Sequence, residues 1–322
     1  MNLTLPSKSA TPPQPQPAWR RRCPRALALL SIALLCPGLS QAGIIFLSDF
    51  ETGGFSGASD NHDGWQVTAL PREAVVQSAG VDPVTSTEVP IRAGRYSARL
   101  HIDYSKDYSS INGSGDDKPR NNLNKYPLRF DYGKDYWVAW SVYIPTDWED
   151  DYDKNHDTLL QVQPYKGGPP AITFRIEGDK WILINRWDAK NTNFDDDDTT
   201  VRELYNKPTA SDKGKWVDWA MRFNFCHQAG CKGKFQVWKN QQQVVNFSGP
   251  NAYKMNSANK GPLLQLNIYK SAWKRKSTRV TGTRTVYFDE VRVGDAQSSL
   301  AEVSPISVPA PMAPTNLEIN TN

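Results

Sequence analysis

Strict alternation of apolar and polar residues recurs in short runs along the chain. Residues 263–270 read LLQLNIYK, so that as a β-strand they place three aliphatic side chains on one face. The other face then carries Gln265, Asn267 and Tyr269. A strand face of two amides and a phenol is unusual for a plain solvent surface, and it directs attention to this strand as part of a site.

A second run repeats this arrangement. Residues 159–165 read LLQVQPY, in which Gln161, Gln163 and Tyr165 alternate with aliphatic residues. Two strands that line one surface with amides and phenols indicate a sugar-binding groove, with catalysis as a further role.

Other alternating runs predict further strands, and no long helical period is present. These runs are residues 137–144, 171–176, 216–225, 286–293 and a hairpin of 235–238 with 244–247 around a turn at 239–243. Many short strands separated by turn residues predict an all-β, two-sheet antiparallel β-sandwich.

The N-terminus has the pattern of an export signal. Basic residues precede an apolar run at 26–36, and small residues follow at 40–42. Eleven apolar residues are too few to span a bilayer, so we expect a cleaved signal peptide over 1–42 and no membrane anchor. The protein is then exported, to the periplasm or outside the cell. Lipidation at Cys36 and twin-arginine export are less favoured alternatives.

The remaining chain is predicted to form one domain over residues 43–298. Residues 299–322 are rich in Pro, Ser and Ala and predict a disordered tail. Cys226 and Cys231 bracket four residues, which in an exported protein indicates a disulfide across a turn. Two free thiols are the alternative, and a zinc site lacks a second ligand pair.

Charge gives little support to a nucleic-acid partner, because the formal net charge is only +4. The basic residues are clustered after the strand at 263–270: Lys270, Lys274, Arg275, Lys276 and Arg279. Such a cluster suits an anionic polysaccharide, and a solvated basic loop is an equally weighted alternative. Trp273 in this cluster is a candidate sugar-stacking platform or a core residue. We expect a monomer.

Several of these segments together resemble a known family. The stretch WVAWSVYIPTDW at 137–148, the strand at 159–163, Lys-Asn-Gln at 239–241 and the segments at 266–269 and 287–294 look like the jelly-roll polysaccharide lyases. The likeness spans about residues 46–295 and is nearest to the branch of glucuronan lyases and heparin lyase I, with alginate lyases more distant. It implies a β-jelly roll of concanavalin-like type and cleavage of a uronate polymer by β-elimination.

The resemblance also implies site residues, position by position. Arg120-Asn121-Asn122 stands where an Arg-x-Glu strand is found in the alginate lyases, and Gln161-Val162-Gln163 stands where Gln-Ile-His is found. Tyr269 ends the segment that corresponds to the tyrosine strand. By this likeness Tyr269 is the catalytic base and acid, while Gln161, Arg120 and Asn122 neutralise the uronate carboxylate.

The departures from the family pattern bear on the substrate. Asn122 replaces an acid, and Gln163 replaces the histidine that some relatives use as base. A tyrosine can remove the C5 proton, helped by nearby cations such as Lys270, and then protonate the leaving oxygen only when both lie on one face of the sugar. The sequence therefore favours glucuronate or mannuronate. Substrate contacts are expected from Gln163, Arg175, Asn267, Lys270 and Trp273, and a role for the loop histidines His62 and His227 stays open.

Acidic residues near the two ends of the domain raise the question of a metal. Asp49 and Glu51 on the first strand and Asp289 on the last are candidate ligands of a structural calcium ion, although edge carboxylates in ordinary turns are the more favoured interpretation. No cofactor is expected to be required for catalysis.

Two other function classes compete with a lyase. A lectin-like sandwich would hold the sugar on the same residues without cleaving it. A glycoside hydrolase needs two carboxylates that face each other across the groove, and the candidate strands carry amides and a phenol instead.

Overall fold

The computed structural model describes residues 43–51, 61–62, 65–68, 75–78, 90–109, 119–125, 128–164, 168–189, 199–254 and 261–305. These residues belong to one compact unit, Gln41–Asn322. A separate unit, Met1–Ser40, lies outside the described residues, and with it the predicted signal peptide.

The described chain is almost entirely β-structure. In chain order its elements are β1 (Ile44–Ser48), β2 (Asn61–His62), β3 (Trp65–Thr68), β4 (Val75–Ser78), β5 (Ser97–Asp103), β6 (Arg120–Asn124), β7 (Asp135–Tyr143), β8 (His156–Gln163), β9 (Ile172–Glu177), β10 (Lys180–Trp187), β11 (Thr200–Pro208), β12 (Trp216–Asn224), β13 (Lys234–Lys239), β14 (Gln242–Ser248), β15 (Leu263–Tyr269), α1 (Ser271–Lys274), β16 (Thr283–Gly294) and α2 (Leu300–Val303).

The strands form two antiparallel sheets of eight strands each. The first sheet has the order β14-β13-β12-β7-β16-β5-β4, with β1 also paired to β16. The second sheet has the order β11-β10-β9-β8-β15-β6-β3-β2. The predicted two-sheet sandwich is confirmed, and the two strands with amide faces, β8 and β15, are neighbours near the centre of the second sheet.

The core lies between the sheets, where the apolar faces of the strands meet. Phe174 of the second sheet packs edge-on against Trp219 of the first, with ring centroids 4.5 Å apart, and stacks on Trp181 at 5.2 Å. On β15, Leu264, Leu266 and Ile268 are fully buried in this core. Burial of these apolar side chains fixes the face of β15, so that its polar residues must lie on the outer side of the sheet.

A β-bulge interrupts the alternation in β8. The pairing of β8 with β9 shifts between Thr158 and Leu160, so that Leu159 is an extra residue on β8. Leu159 and Leu160 both enter the core. Thr158 and His156 consequently lie on the outer face of the second sheet, together with Gln161, and Asp157 is turned inward.

The predicted hairpin at 235–247 is confirmed as β13–β14. Its turn has two residues rather than five, because pairing continues to Lys239 and Gln242. Asn240 and Gln241 have φ values of 46° and 67°, the positive values that a two-residue hairpin turn requires.

The domain continues past residue 298, where the sequence predicted its end. Ser299 caps α2 through a capping box with Glu302, and Val303 is fully buried. The carbonyl of Ser304 accepts a hydrogen bond from the Arg292 guanidinium. The prediction of a disordered tail is therefore wrong for residues 299–305, because the buried Val303, the capping box of α2 and the hydrogen bond to Arg292 attach them to the domain. Residues 306–322 lie outside the described residues.

The predicted disulfide between Cys226 and Cys231 is confirmed. The side chain of Asn251 braces the same region: its Oδ1 accepts from Cys226 N at 2.9 Å, and its Nδ2 donates to the carbonyls of Asn224 and Lys234 at 3.0 Å. No helix among the described residues is long and apolar enough to cross a membrane.

Candidate active site

Polar side chains from four adjacent strands form a band on the outer face of the second sheet. The strands lie in the order β9-β8-β15-β6, and we call this band the amide face. Its members, each on the side of its strand that faces away from the core, are Arg120, Asn122, Asn124, His156, Thr158, Gln161, Gln163, Thr173, Arg175, Gln265, Asn267 and Tyr269.

Tyr269 lies in a row of residues that crosses all four strands. It is paired with Arg120 of β6 on one side and with Thr158 of β8 on the other. Thr158 is in turn paired with Arg175 of β9. Tyr269 is partly exposed between these neighbours, so that its hydroxyl is accessible from the outer face. The structure thus brings the predicted base and the predicted Arg120 together.

Gln161 lies in a parallel row, opposite Gln265 of β15. Its Oε1 accepts a hydrogen bond of 3.3 Å from Asn267 Nδ2. The acceptor end of the Gln161 amide is therefore occupied, and among the described residues its Nε2 donates to no protein group. A partly exposed amide held in this orientation presents its N–H donors to a ligand.

Asn122 is a third member of the amide face, opposite Asn267. Its Nδ2 donates to Asn124 Oδ1 at 3.4 Å, and the same oxygen accepts from Gln265 Nε2 at 2.5 Å. Asn122 Oδ1 is buried and has no hydrogen-bond partner in the described part of the chain. A buried carbonyl without a donor is costly, so this atom suits a sugar hydroxyl or a water molecule.

Lys270 does not contact the outer face, and its predicted role as a substrate contact is wrong. It follows directly after β15 and is fully buried, with Nζ 2.7 Å from Asp151 Oδ2 and 3.1 Å from Asp157 Oδ2. Arg284 Nη2 lies 3.4 Å from the same oxygen of Asp157. The ammonium group is neutralised inside the sandwich by two carboxylates, where it closes the end of the core.

Trp273 and Asn267 are also buried, at 4% and 1% exposure. Trp273 Nε1 donates to the carbonyl of Val280 at 2.8 Å, and the ring packs edge-on against Tyr104. Trp273 is therefore a core residue. The prediction that it stacks on sugar and contacts the substrate is wrong. The Nδ2 of Asn267 donates to Gln161 Oε1 on the neighbouring strand.

The two remaining predicted contacts lie at accessible positions. Gln163 is partly exposed at the end of β8, and its Nε2 donates to the carbonyl of Gly168 at 3.0 Å. Arg175 forms an ion pair with Glu177 on the same strand face. Its side chain is 16% exposed, and its Nε is buried without a partner among the described residues.

His156 lies on the amide face and was missed by the sequence prediction. If β8 alternated strictly from Gln161 backward, His156 would face the core. The bulge at Leu159 turns His156 to the outer face instead. Burial, followed by the positive charges of Arg175, Arg275 and Lys270, lowers the pKa of His156 to about 3. A hydrogen bond with the backbone of Lys154 acts in the opposite direction. The imidazole is therefore neutral at ordinary pH.

The other histidines are remote from this face or outside the description. His101 lies on β5 of the first sheet, with Nδ1 2.7 Å from Thr285 Oγ1. His227 belongs to the disulfide loop, where its ring packs against Tyr132 at 5.8 Å. The side chain of His62 lies outside the described residues.

The three carboxylates predicted to bind calcium do not form a ligand set. Asp49 Oδ1 accepts from Glu51 N at 3.2 Å, and Glu51 Oε1 accepts from Arg95 N and Tyr96 N at 2.8 and 2.9 Å. Asp289 accepts backbone N–H bonds from three residues. Among the described residues no three Asp, Glu, His or Cys side chains form a group that could hold a metal ion. These carboxylates bind backbone donors instead, so they do not fit a calcium site.

Comparisons with known proteins agree with this description. A protein-family model described as polysaccharide lyase matches residues 51–292. The chain is similar to the structure of an endo-β-1,4-glucuronan lyase from the fungus Trichoderma reesei, with 15% identity and a TM-score of 0.57 over 81% of this chain and 98% of that one. Likeness at this identity supports a shared fold.

A weaker likeness links the chain to an alginate lyase, AlgAT5, from polysaccharide lyase family 7. The identity is 12% and the TM-score 0.41, over 70% of this chain and 95% of that one. A search of curated proteins found no match. The family resemblance predicted from the sequence motifs is confirmed.

Proposed function

The chain belongs to the polysaccharide lyase family, and from this premise we propose that it cleaves a uronate-containing polysaccharide by β-elimination on the amide face. The observation that carries the proposal is the alignment of Tyr269, Arg120 and Gln161 on adjacent strands of one accessible face. The solved endo-β-1,4-glucuronan lyase named above acts on a polymer of this class.

β-Elimination on a uronate begins with loss of the C5 proton. The carboxylate beside C5 is already an anion, so removing the proton builds further negative charge onto it. Donors placed in advance stabilise this charge more than they stabilise the bound substrate. The Nε2 of Gln161, oriented by Asn267, is the donor that we assign to the carboxylate.

Tyr269 is the group that we assign to proton transfer. It is paired with Arg120 on one side and with Thr158 on the other in the row across the sheet. The guanidinium of Arg120 can bind the uronate carboxylate with paired hydrogen bonds. After taking the C5 proton, Tyr269 returns it to the O4 leaving group as the C4–O4 bond breaks and the C4–C5 double bond forms. No cofactor takes part.

One tyrosine can do both steps only when the C5 proton and O4 lie on the same face of the sugar. Gln163 occupies the position where some relatives carry a histidine base. His156 on the same face is neutral, but with a pKa of about 3 it is a weak acceptor for a C–H proton. We therefore propose glucuronate or mannuronate, and not guluronate or iduronate, at the cleaved position.

The test is near-UV absorbance after the mature protein is mixed with glucuronan, polymannuronate, polyguluronate, hyaluronan or heparin in separate assays. We expect rising absorbance on a glucuronate or mannuronate polymer, and loss of it in Tyr269→Phe. Tyr152→Phe, which alters an exposed tyrosine elsewhere, is the matched control. Binding without absorbance on every polymer would favour the lectin function, and activity on polyguluronate alone would refute the same-face argument.

We also propose export, with cleavage after Ala42, and a monomeric mature protein. Sequencing the N-terminus of the secreted protein tests the first proposal. Light scattering on the purified mature chain tests the second.

A further inference from the structure

His156 lies on the edge of the amide face next to the row of Tyr269. It precedes Thr158 by two residues on β8, and Thr158 is paired with Tyr269. Directly opposite His156 on β9 is Glu177. Because diagonal neighbours on one sheet face are within reach of long side chains, His156, Tyr269 and Arg175 border the same surface.

The helix α1 brings a further cation to this surface. It begins directly after β15 and packs against β8. Arg275, its C-cap residue, is exposed and acts electrostatically on His156, as Arg175 does from β9. Lys270 acts on His156 as well, but it is buried and balanced by Asp151 and Asp157. Among the three cations that act on His156, the two arginines are therefore the accessible ones.

The charges of the two arginines are not fully balanced by protein groups. Glu177 contacts Nη2 of Arg175, while Nε of Arg175 is buried without a partner among the described residues. Arg275 has a long contact of 3.5 Å with the neutral hydroxyl of Ser271. Two guanidinium groups and one carboxylate leave a net positive charge beside Tyr269.

The imidazole of His156 is partly exposed on this surface. A neutral imidazole has one N–H donor and one acceptor nitrogen, so the ring can accept a hydrogen bond from a ligand. A surface with one hydrogen-bond acceptor and two cationic donors matches an acidic sugar unit. Such a unit offers a hydroxyl to the acceptor and an acidic substituent to the cations.

We propose that His156, Arg175 and Arg275 form a second subsite, for the anionic sugar unit next to the one that is cleaved. Arg175 and Arg275 bind the carboxylate or sulfate of that unit, and His156 accepts a hydrogen bond from one of its hydroxyls. The proposal rests on the function proposed above. The residues of β9 opposite Gln161 and Thr158 are Thr173 and Arg175, two residues or roughly 7 Å apart, which is on the scale of one sugar unit.

The experiment compares the variants Arg275→Gln and His156→Ala with wild type. Arg95→Gln is the matched control, since it removes the same charge from an exposed arginine that precedes β5 of the first sheet and is not part of the amide face. Initial rates are measured by absorbance on the most active polymer and on its trimer and hexamer. We expect the KM for polymer and hexamer to rise about tenfold in each variant, with kcat changed less than twofold, and the control to match wild type.

A binding measurement separates this inference from the proposed function. Arg275→Gln is combined with Tyr269→Phe, and calorimetry on the hexamer compares it with Tyr269→Phe alone. If wild type eliminates and the Arg275→Gln KM is unchanged, the subsite is refuted and the function stands. If wild type cleaves no polymer but Arg275→Gln still weakens binding of a glucuronate hexamer about tenfold, the function is refuted and the binding of an anionic sugar at these residues stands. Thermal unfolding of His156→Ala within a few degrees of wild type ensures that its KM reports on binding.

Discussion

Asn267 donates a hydrogen bond of 3.3 Å to Oε1 of Gln161 across the β15–β8 pair. An amide has a donor end and an acceptor end, and this bond determines which end of Gln161 faces the ligand. Gln161 is the donor that we propose for the elimination, and the buried Asn267 orients its amide. The relation between these two residues is the basis of the first two predictions.

Replacing Gln161 by Glu exchanges the amide donor for a carboxylate, and the side chain keeps nearly the same shape. We expect kcat/KM to fall at least a hundredfold, because a carboxylate repels the uronate and its developing dianion. Steady-state absorbance kinetics measure the change. The control Gln236→Glu introduces the same charge on β13 of the first sheet and should leave kcat/KM within twofold of wild type. A Gln161→Glu enzyme with wild-type kinetics would remove Gln161 from the mechanism.

Asn267→Ala tests whether Asn267 acts through Gln161. The truncation should lower kcat about tenfold, because Gln161 is then free to rotate. Combined with Gln161→Ala it should add almost nothing further, since residues that act as one unit are non-additive. A double-mutant cycle in kcat measures the coupling. Additive losses would mean that Asn267 has a separate role.

The buried charges at the end of the core should dominate acid stability. Burial alone would raise the pKa of Asp151, but hydrogen bonds from Lys270 and Thr278 lower it below its usual range. A lowered folded-state pKa stabilises the protein above pH about 4, and this stabilisation is lost as the pH falls further. Asp151→Asn removes one of the two carboxylates that neutralise the buried Lys270. We therefore expect the free energy of unfolding to fall by about 3 kcal/mol at pH 7.

The neighbouring residue provides the control for this change. Asp150 pairs with Lys213 at 2.8 Å, with both side chains partly exposed, so Asp150→Asn should cost less than about 1 kcal/mol. Urea unfolding of both variants at pH 7 and pH 3 measures the difference. Equal losses in the two variants would contradict the assigned importance of the buried cluster.

His156 should remain neutral well below the usual range for histidine. Its pKa is about 3 in the folded protein, against about 6.5 in an unfolded chain. Because the unfolded state binds this proton first, acidification from pH 7 to pH 4 favours unfolding through this residue. NMR titration of histidine-labelled protein, with His156→Ala to assign the signal, measures the pKa. A midpoint near 6.5 would place His156 in a solvated environment and contradict the described face.

The disulfide between Cys226 and Cys231 closes a short loop with a sequence separation of 5. Loop-closure entropy for such a length predicts that the free energy of unfolding falls by about 2 kcal/mol when both cysteines are replaced by serine. Denaturant unfolding measures this, and reduction of the wild type should give the same decrease. An unchanged unfolding midpoint in both cases would show that Asn251 alone holds the region.

The sequence predicted the fold and most of the amide face because alternation reports directly on which side of a strand is buried. Tyr269 and Gln161 were identified as candidates in this way, whereas Arg120 was assigned by its likeness to the family motif. Periodicity could not reveal the bulge at Leu159, since an extra residue leaves no mark in composition, and so His156 was missed.

The errors have a similar origin. Lys270 was assigned to the groove because it follows the polar strand directly and belongs to a basic cluster, yet Asp151 and Asp157 neutralise it inside the core. Trp273 lies among basic residues in the sequence but packs inward, because α1 turns it toward Tyr104. Pairing between distant segments decides both cases, and such pairing is not visible in a local pattern.

The central claim is that Tyr269 removes the C5 proton of a uronate held on the amide face. The most direct measurement is the crystal structure of Tyr269→Phe with an oligosaccharide of the polymer that the wild-type protein cleaves. We predict that the uronate carboxylate accepts from Gln161 Nε2 and that its C5 lies about 3 Å from the position of the missing hydroxyl. An oligosaccharide bound elsewhere, or one whose C5 points away from residue 269, would contradict the account.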